Sequence, residues 1–201
     1  RRGSTHSRLG GACCGWRAMI QQAHYSQAVD QINAIGNFYR LSIQQAQLQW
    51  LAADAQYLAQ AGQPGLVREN YEWAADHYRK AVALGAHPTP LMNERWGLAA
   101  LALGQPDLGI EKLEAAAVTE PEILSAHARA LVAAYIATGN LPRARAVVER
   151  LLNNPGPQPL TVDDRAWALC KNIELALATR SATDDALIRA VSAASAALKT
   201  I

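Results

Sequence analysis

Residues 102–107 read ALGQPD and residues 137–142 read ATGNLP, and these two similar stretches decide the fold. Each contains a glycine, Gly104 or Gly139, that is suited to end a helix in a left-handed turn. Each then carries a proline close to where the next helix begins. The two glycines are 35 residues apart. A repeated helix–turn–helix unit is therefore predicted in this part of the chain.

A recurring triplet of residues marks one helix of each unit. It consists of a small residue, a core side chain four places later and another core side chain three places after that. These offsets place all three residues on one stripe of an α-helix, where the small residue lets a neighbouring helix approach closely. The triplets are Ala28/Ile32/Ile35, Ala74/Tyr78/Ala81, Gly109/Leu113/Ala116, Ala144/Val148/Leu151 and Ala186/Ala190/Ala193. We interpret each triplet as the second helix of a helical hairpin.

Packing positions in the first helices complete the unit and indicate its family. Upstream of the two glycines, at matching offsets, lie Trp96, Gly97 and Ala100 in one unit and Leu131, Val132 and Tyr135 in the other. The pattern resembles the tetratricopeptide repeat (TPR), in which pairs of antiparallel helices stack on one another. The best matching repeats cover residues 91–121 and 125–155. The resemblance implies an all-α fold, a right-handed α-α superhelix of about four to five helical hairpins.

The unit that precedes these two repeats matches the family pattern more loosely. Ala55, Leu58 and Gly62 fit its first helix. Asp54, however, stands where the pattern has an apolar residue, and extra residues follow at about 63–69. The two ends of the chain fit only as degenerate units.

The chain is expected to form a basic and apolar leader over residues 1–14 and a single TPR-like solenoid domain over residues 15–201. The segment at 153–160, NNPGPQPL, is interpreted as a loop, because the hairpin pattern resumes after it. Thr161 or Asp163 is a suitable N-cap for the helix that follows this loop. The predicted helices cover residues 15–35, 38–61, 68–84, 91–103, 107–118, 124–138, 141–153, 162–179 and 184–199.

Composition supports a folded all-α protein. Half of the 201 residues are apolar and 18% are charged, which excludes a disordered polymer. The chain has 41 alanines but only 9 prolines, a bias toward helix formers. Its formal charge is +2, and four of its basic residues precede the first acid, Asp30. These residues are Arg1, Arg2, Arg8 and Arg17. Their positive charge would attract RNA or anionic lipid weakly.

The sequence contains no recognised signature of catalysis. Its five histidines and three cysteines do not have metal-binding spacings, and no phosphate-binding loop or nucleophile elbow occurs. The acidic pairs at 163–164 and 184–185 lie at predicted helix starts, where they favour the positive end of the helix dipole. Cys170 follows the apolar helical pattern, so it is expected in the core. We therefore expect a protein that is not an enzyme and that has no cofactor and no metal site.

The family resemblance also implies a binding groove lined by the first helices. One basic residue stands among apolar and amide side chains, and the Lys and Asn cluster by which some relatives clamp a terminal carboxylate is missing. An apolar helix or extended segment of a partner protein is thus the expected ligand. Trp73 is the tryptophan most open to a binding role, whereas Trp96 and Trp167 are assigned to the core. The candidate binding residues are Gln49, Gln56, Trp73, Glu94, Leu98, Leu101, Arg129, Ala133 and Ile136.

These features favour a non-catalytic scaffold that binds a protein partner or assembles with its own copies. Apolar helices at both ends suggest the assembly, because an uncapped solenoid end can contact another subunit and grow into a filament. The alternative is a soluble TPR domain of a bacterial membrane protein, such as a cell-envelope polysaccharide polymerase or ligase. Residues 9–20 motivate it, although they are too few to span a bilayer. A third hypothesis is an RNA-associated repeat protein. A cell-envelope or extracellular location is favoured over a cytoplasmic one.

Overall fold

The computed structural model describes residues 4–36, 38–39, 41–61, 68–153, 159–179, 188–189, 191–192 and 195. Every regular element in these ranges is helical. The chain divides into two compact units, residues 1–105 and 106–201. The first unit contains α1 (Ser4–Gln21), α2 (Tyr25–Gly36), α3 (Ser42–Ala61), α4 (Arg68–Ala83) and α5 (Pro90–Ala102). The second contains α6 (Pro106–Ala117), α7 (Ile123–Ala126), α8 (Ala128–Ala137), α9 (Leu141–Asn153) and α10 (Val162–Ala178).

The turns between helices have the predicted geometry. Gly104 and Gly139 both adopt a φ of +74°, the left-handed conformation that ends α5 and α8. The next residue in each case donates its backbone N–H to a carbonyl five places earlier, at 2.9 Å after α5 and 2.8 Å after α8. Pro106 begins α6 and Pro142 lies in the first turn of α9. The N-cap prediction for α10 is confirmed at Thr161, whose hydroxyl accepts from the N–H of Asp164.

The triplet residues form the inner stripe of the second helices, as predicted. They are buried in α4, α6 and α9, and so are Ala28 and Ile32 in α2. The side chain of Ile35 and the fifth triplet, at positions 186, 190 and 193, lie outside the described residues. Within the described residues, the triplet therefore marks the buried stripe of each helix that carries it.

Two apolar clusters hold the first unit together, and α3 contributes to both. One cluster joins α1, α2 and α3 around Trp16, Ile32 and Leu48. The other joins α3, α4 and α5 around Tyr78 and Trp96, whose rings stack with centroids 6.1 Å apart. Since both clusters include residues of α3, this helix packs on one side against α1 and α2 and on another side against α4 and α5.

In the second unit, α8 packs against α6 and α9, and α10 packs against α9. The Tyr135 hydroxyl donates to the Glu114 carboxylate, which also accepts from Arg143. This network joins one side chain from each of α6, α8 and α9. Burial first, and then the hydrogen bond to Glu114, raise the pKa of Tyr135 to about 12, although Arg143 acts in the opposite direction.

The first predicted helix is in fact two helices. The pattern predicted one helix over residues 15–35, whereas α1 and α2 are separated by a turn at residues 22–24. Ala23 has a φ of +60° in this turn, a conformation that usually selects glycine. The helical spacing continues across the break without glycine or proline, so residue type gave no signal for it. In addition, α1 begins at Ser4, inside the expected leader, and the division at residue 14 stays a prediction.

Two other expectations differ from the structure. The helix predicted at 124–138 is divided at His127, where φ is −112° and ψ is 24°. Cys170 is exposed rather than buried, because α10 packs through Ala168 and Ala176, which lie on the other side of the helix. Of the helix predicted over 184–199, the structure describes only five residues, all helical. No helix among the described residues is long and apolar enough to cross a membrane.

Candidate functional site

A cavity of about 840 Å³ lies between α1, α3 and α5. These three are the first helices of successive helical hairpins and lie in residues 1–105. We call the cavity the α1–α3–α5 cavity. Ile20 and Leu51 are buried side chains that line it, and Leu58 and Trp50 add further apolar surface. Its size falls within the range typical of ligand pockets, and its walls come from helices rather than loops. The fold therefore provides a site of ligand size, built on helices and partly apolar.

Amide and cationic side chains are placed among the apolar walls of this cavity. Gln44 is 6% exposed and Gln47 is exposed, and both lie on α3. An amide side chain can donate and accept hydrogen bonds simultaneously, as a peptide main chain requires of its partner. Arg17 contributes an exposed guanidinium from α1, beside Cys14. The cavity thus combines apolar contact area with groups that suit a peptide backbone.

Asp54 links this cavity to the core. Its carboxylate accepts a hydrogen bond of 2.6 Å from the Tyr78 hydroxyl. It also forms an ion pair with the Arg95 guanidinium, at an N···O distance of 2.9 Å. Both charged side chains are less than one-fifth exposed. Burial and the adjacent Asp54 carboxylate raise the pKa of Tyr78 well above its usual range. Asp54 therefore ties α3 to both α4 and α5, and the polar residue that interrupted the family pattern is a structural anchor.

The structure places Gln49 and Gln56 on the opposite face of α3 from this cavity. Positions 47, 51, 54 and 58 form the stripe that lines the cavity. The expected groove positions on α3 are displaced from these by two residues, about 200° around a helix. Ala53, which is fully buried against α4 and α5, is the small packing residue that sets the register. The predicted register instead aligned the repeat on Ala55 and on Gly62, which precedes the inserted residues. The predicted groove positions on α3 are therefore two residues away from the observed ones.

A second cleft, of about 660 Å³, lies on that opposite face, between α2, α3 and α4. We call it the α2–α3–α4 cleft. Gln56 and Trp73 both line it, and Trp73 is 51% exposed. His77 also lines it, with its Nδ1 atom 2.6 Å from Oε1 of Gln49. Burial, assisted by the Lys80 charge, lowers the pKa of His77.

On α5, the α1–α3–α5 cavity is lined by Leu91 and Arg95, and none of the candidate residues of this helix is among its lining residues. Glu94, Leu98 and Leu101 are all partly exposed. Glu94 is electrostatically coupled to Tyr57, whose pKa is raised to about 12 by burial first, then by Tyr71 and Glu94.

The candidate residues on α8 share one exposed face of the second unit, formed by Arg129, Ala133 and Ile136. Arg129 already has partners there. Its guanidinium donates to Oδ1 of Asp164 at 2.9 and 3.1 Å and lies 5.0 Å from the ring centre of Trp167. Trp167, expected in the core, is half-buried and packs with this cation instead. Arg129 thus joins α8 to the start of α10.

Within the described residues, no three His, Cys, Asp or Glu side chains are grouped so that they could hold a metal ion. Burial raises the pKa of the Cys13 thiol, which keeps it protonated and weakly nucleophilic at neutral pH.

Sequence reasoning missed the side chains that α1 and the cavity face of α3 provide. Those on α3 were missed because of the two-residue register shift. Arg17 was considered only as part of a basic leader, because the helix break at residues 22–24 was not recognised. A stripe at spacings of three and four residues through positions 47, 51, 54 and 58 was the available signal.

Comparisons with known proteins agree with this architecture. No family model matches the sequence, and no curated protein matches it. A crystal structure from Podosopora anserina, described as kinesin light chain nearly identical TPR-like repeats, superimposes with a TM-score of 0.55 and 18% identity. The match covers 96% of this chain and 97% of that one. A crystal structure of the same repeats with a single substitution gives 0.54 and 19%, covering 97% and 98%. The chain has an all-α, TPR-like repeat fold.

Proposed function

We propose that this protein is a non-catalytic interaction scaffold that binds a segment of a partner protein in the α1–α3–α5 cavity. The observation that carries the proposal is the cavity itself, an opening of about 840 Å³ lined by three consecutive first helices. The TPR-like fold supports a role in protein interaction, because stacked repeats present extended surfaces to partners.

The ligand that fits this cavity is a short apolar peptide with an acidic residue at one end. Leu51, Leu58 and Trp50 provide the apolar contact area, and Gln44 and Gln47 provide hydrogen bonds for its main chain. The charge of Arg95 is compensated by Asp54, so Arg17 supplies the excess positive charge of the lining. An acidic side chain on the peptide would be placed opposite Arg17.

The experiment is a peptide-display selection against the full chain, followed by thiol protection. Cys14 lines the cavity and is exposed, whereas Cys170 is exposed in the second unit. We expect bound peptide to slow iodoacetamide alkylation of Cys14 several-fold and to leave Cys170 unchanged. Equal rates at Cys14 with and without saturating peptide would contradict the proposed site.

A pair of glutamine variants provides the matched control. Gln47→Arg introduces a long charged side chain into the cavity and should weaken binding of the selected peptides at least 10-fold. Gln31→Arg makes the same change at an exposed position of α2 that does not line the cavity. Peptides that bind both variants as tightly as the original protein would refute the proposal.

Self-assembly is a second candidate function, supported by a specific observation. Val162 and Leu177 on α10 are 60% and 58% exposed, and Ile188 and Val191 beyond it are also exposed. Burial of such side chains between copies would stabilise a contact by removing apolar surface from water. Groove binding and self-assembly use different surfaces, so a single protein could have both.

Two further hypotheses are an alternative setting for the scaffold and a different function. A TPR domain of a cell-envelope membrane protein and an RNA-associated protein would each present the same fold. For RNA, the expected contacts were arginines near the start of the chain. Arg17, one of them, lines the apolar cavity with two buried aliphatic side chains, which favours a peptide over a phosphate backbone.

A further inference from the structure

The α2–α3–α4 cleft lies on the opposite face of α3 from the proposed peptide site. Its lining is different in kind, since polar side chains outnumber apolar ones there and two aromatic residues, Tyr25 and Trp73, accompany them. Five planar polar groups line it, from Asp30, Asn33, Gln56, Asn70 and His77. Trp73 is half exposed at the same place. Nothing in the proposed peptide-binding function uses this surface.

The exposure of Trp73 lowers the free energy gained on folding, so a role in binding would explain why a tryptophan stands there. A tryptophan buries 150–250 Å² when covered, at roughly 25 cal/mol per Å², so an indole left half exposed forgoes a substantial stabilisation. Ala59 also lines the cleft, where its small side chain occupies little space. An exposed, flat apolar ring at the edge of a polar cleft is suited to stack on a flat apolar ligand surface.

Two of the polar side chains are held in place by hydrogen bonds within the protein. Oε1 of Gln49 can only accept, so Nδ1 of His77 carries the proton in their 2.6 Å hydrogen bond. In the neutral ring this leaves Nε2 as an acceptor. The amide nitrogen of Asn70 donates to Oε1 of Gln60 at 3.5 Å, which orients the Asn70 side chain. Pre-oriented polar groups lose less conformational entropy when a ligand binds.

The charge of the cleft indicates a neutral ligand. Asp30 is its one carboxylate, and neither Lys nor Arg is present among the described lining residues. The lowered pKa of His77 keeps its ring neutral at pH 7. A phosphate or sulfate group would therefore meet the Asp30 carboxylate without a cation among the lining residues to balance it. Amide side chains, by contrast, offer paired donors and acceptors to neutral hydroxyl groups.

A pyranose sugar combines the two features that this lining complements. One face of the ring carries axial C–H groups that stack on an indole, and its edge carries neighbouring hydroxyls that each donate and accept. From this complementarity we infer that the α2–α3–α4 cleft is a binding site for a neutral oligosaccharide, stacked on Trp73 and hydrogen bonded to Asp30, Asn33, Gln56 and Asn70. A volume of about 660 Å³ accommodates two or three sugar units.

The test is a titration of the full chain with maltotriose, cellotriose and N,N′-diacetylchitobiose, each to 20 mM. Binding is followed through the indole N–H signals in a ¹H–¹⁵N spectrum, with the Trp73 signal assigned from Trp73→Phe. We expect at least one saccharide to shift the Trp73 signal saturably. Trp73→Ala should weaken that binding at least 10-fold, measured by calorimetry, whereas Trp73→Phe should retain most of it because a ring remains.

Phe38→Ala is the matched control, since Phe38 is 81% exposed and does not line the cleft. It should leave saccharide binding unchanged. A Trp73 signal that no saccharide shifts would overturn the inference, and so would a shift caused only by choline chloride, which would identify a cation site. Cys14 protection by peptide is independent of these readouts, so either proposal can fail without the other.

Discussion

At the scale of single residues, Asp54 is expected to contribute to stability through its two partners. Its partly buried carboxylate holds the Tyr78 hydroxyl and the Arg95 guanidinium together. Asp54→Ala would leave both without this acceptor, at a cost of about 2–4 kcal/mol in the free energy of unfolding. Urea denaturation followed by circular dichroism measures this change.

A control for Asp54 comes from Asp76, another aspartate of the same unit that also pairs with two cations. Its partners Arg79 and Lys80 are exposed on α4, and exposed ion pairs contribute about 0–1 kcal/mol. Asp76→Ala should therefore cost less than Asp54→Ala. If both variants were equally stable, Asp54 would not anchor α3 as the structure indicates.

The lowered pKa of His77 predicts that the folded protein becomes less stable as the pH falls. Burial holds its pKa in the folded chain below the ordinary value of 6.5. As the pH falls through 6.5, the unfolded chain binds a proton that the folded chain does not, so stability decreases. The loss levels off once the pH is below the folded-state pKa. We expect the melting temperature to fall between pH 7.5 and pH 5.

The His77→Gln variant isolates this contribution, because glutamine can still donate to Gln49 but does not titrate. Its melting temperature should fall less than that of the original protein over the same pH range. His87→Gln, at an exposed position, controls for the loss of one histidine. Parallel pH profiles for the original protein and His77→Gln would show that other groups determine the dependence.

At the scale of helices, the sequence predicts best where a residue type has one structural role. Gly104 and Gly139 marked helix ends correctly because a positive φ selects glycine there. The turn at Ala23 was missed because the same conformation is occupied by an alanine. The triplets located buried stripes, since small residues at helix contacts are distinctive. The α3 register was not predictable from Ala55, because α3 has alanines at 52, 53 and 55 and all three are buried.

Glycine-to-alanine substitutions are expected to change stability in opposite directions at helix ends and inside a helix. A Cβ at Gly104 or Gly139 meets no atom within 4 Å, so Gly→Ala there adds only the backbone cost of a positive φ. Each substitution should destabilise the protein by about 1–2 kcal/mol. Gly15→Ala, inside α1 and also without a close contact, should instead stabilise it by about 0.5–1 kcal/mol. Thermal and urea unfolding of the three variants measure both signs.

At the scale of the whole molecule, the exposed apolar side chains at and beyond α10 predict self-association. Copies that covered Leu177 and its neighbours would remove apolar surface from water, and contacts between unlike surfaces can propagate. We expect the mass measured by light scattering to rise above the 21.6 kDa of one chain as the concentration increases. Leu177→Glu should return it to the monomer, whereas Val118→Glu, which follows α6 and leaves the apolar side chains at and beyond α10 unchanged, should not. A constant mass of 21.6 kDa up to millimolar concentration would exclude assembly and leave peptide binding as the function to pursue.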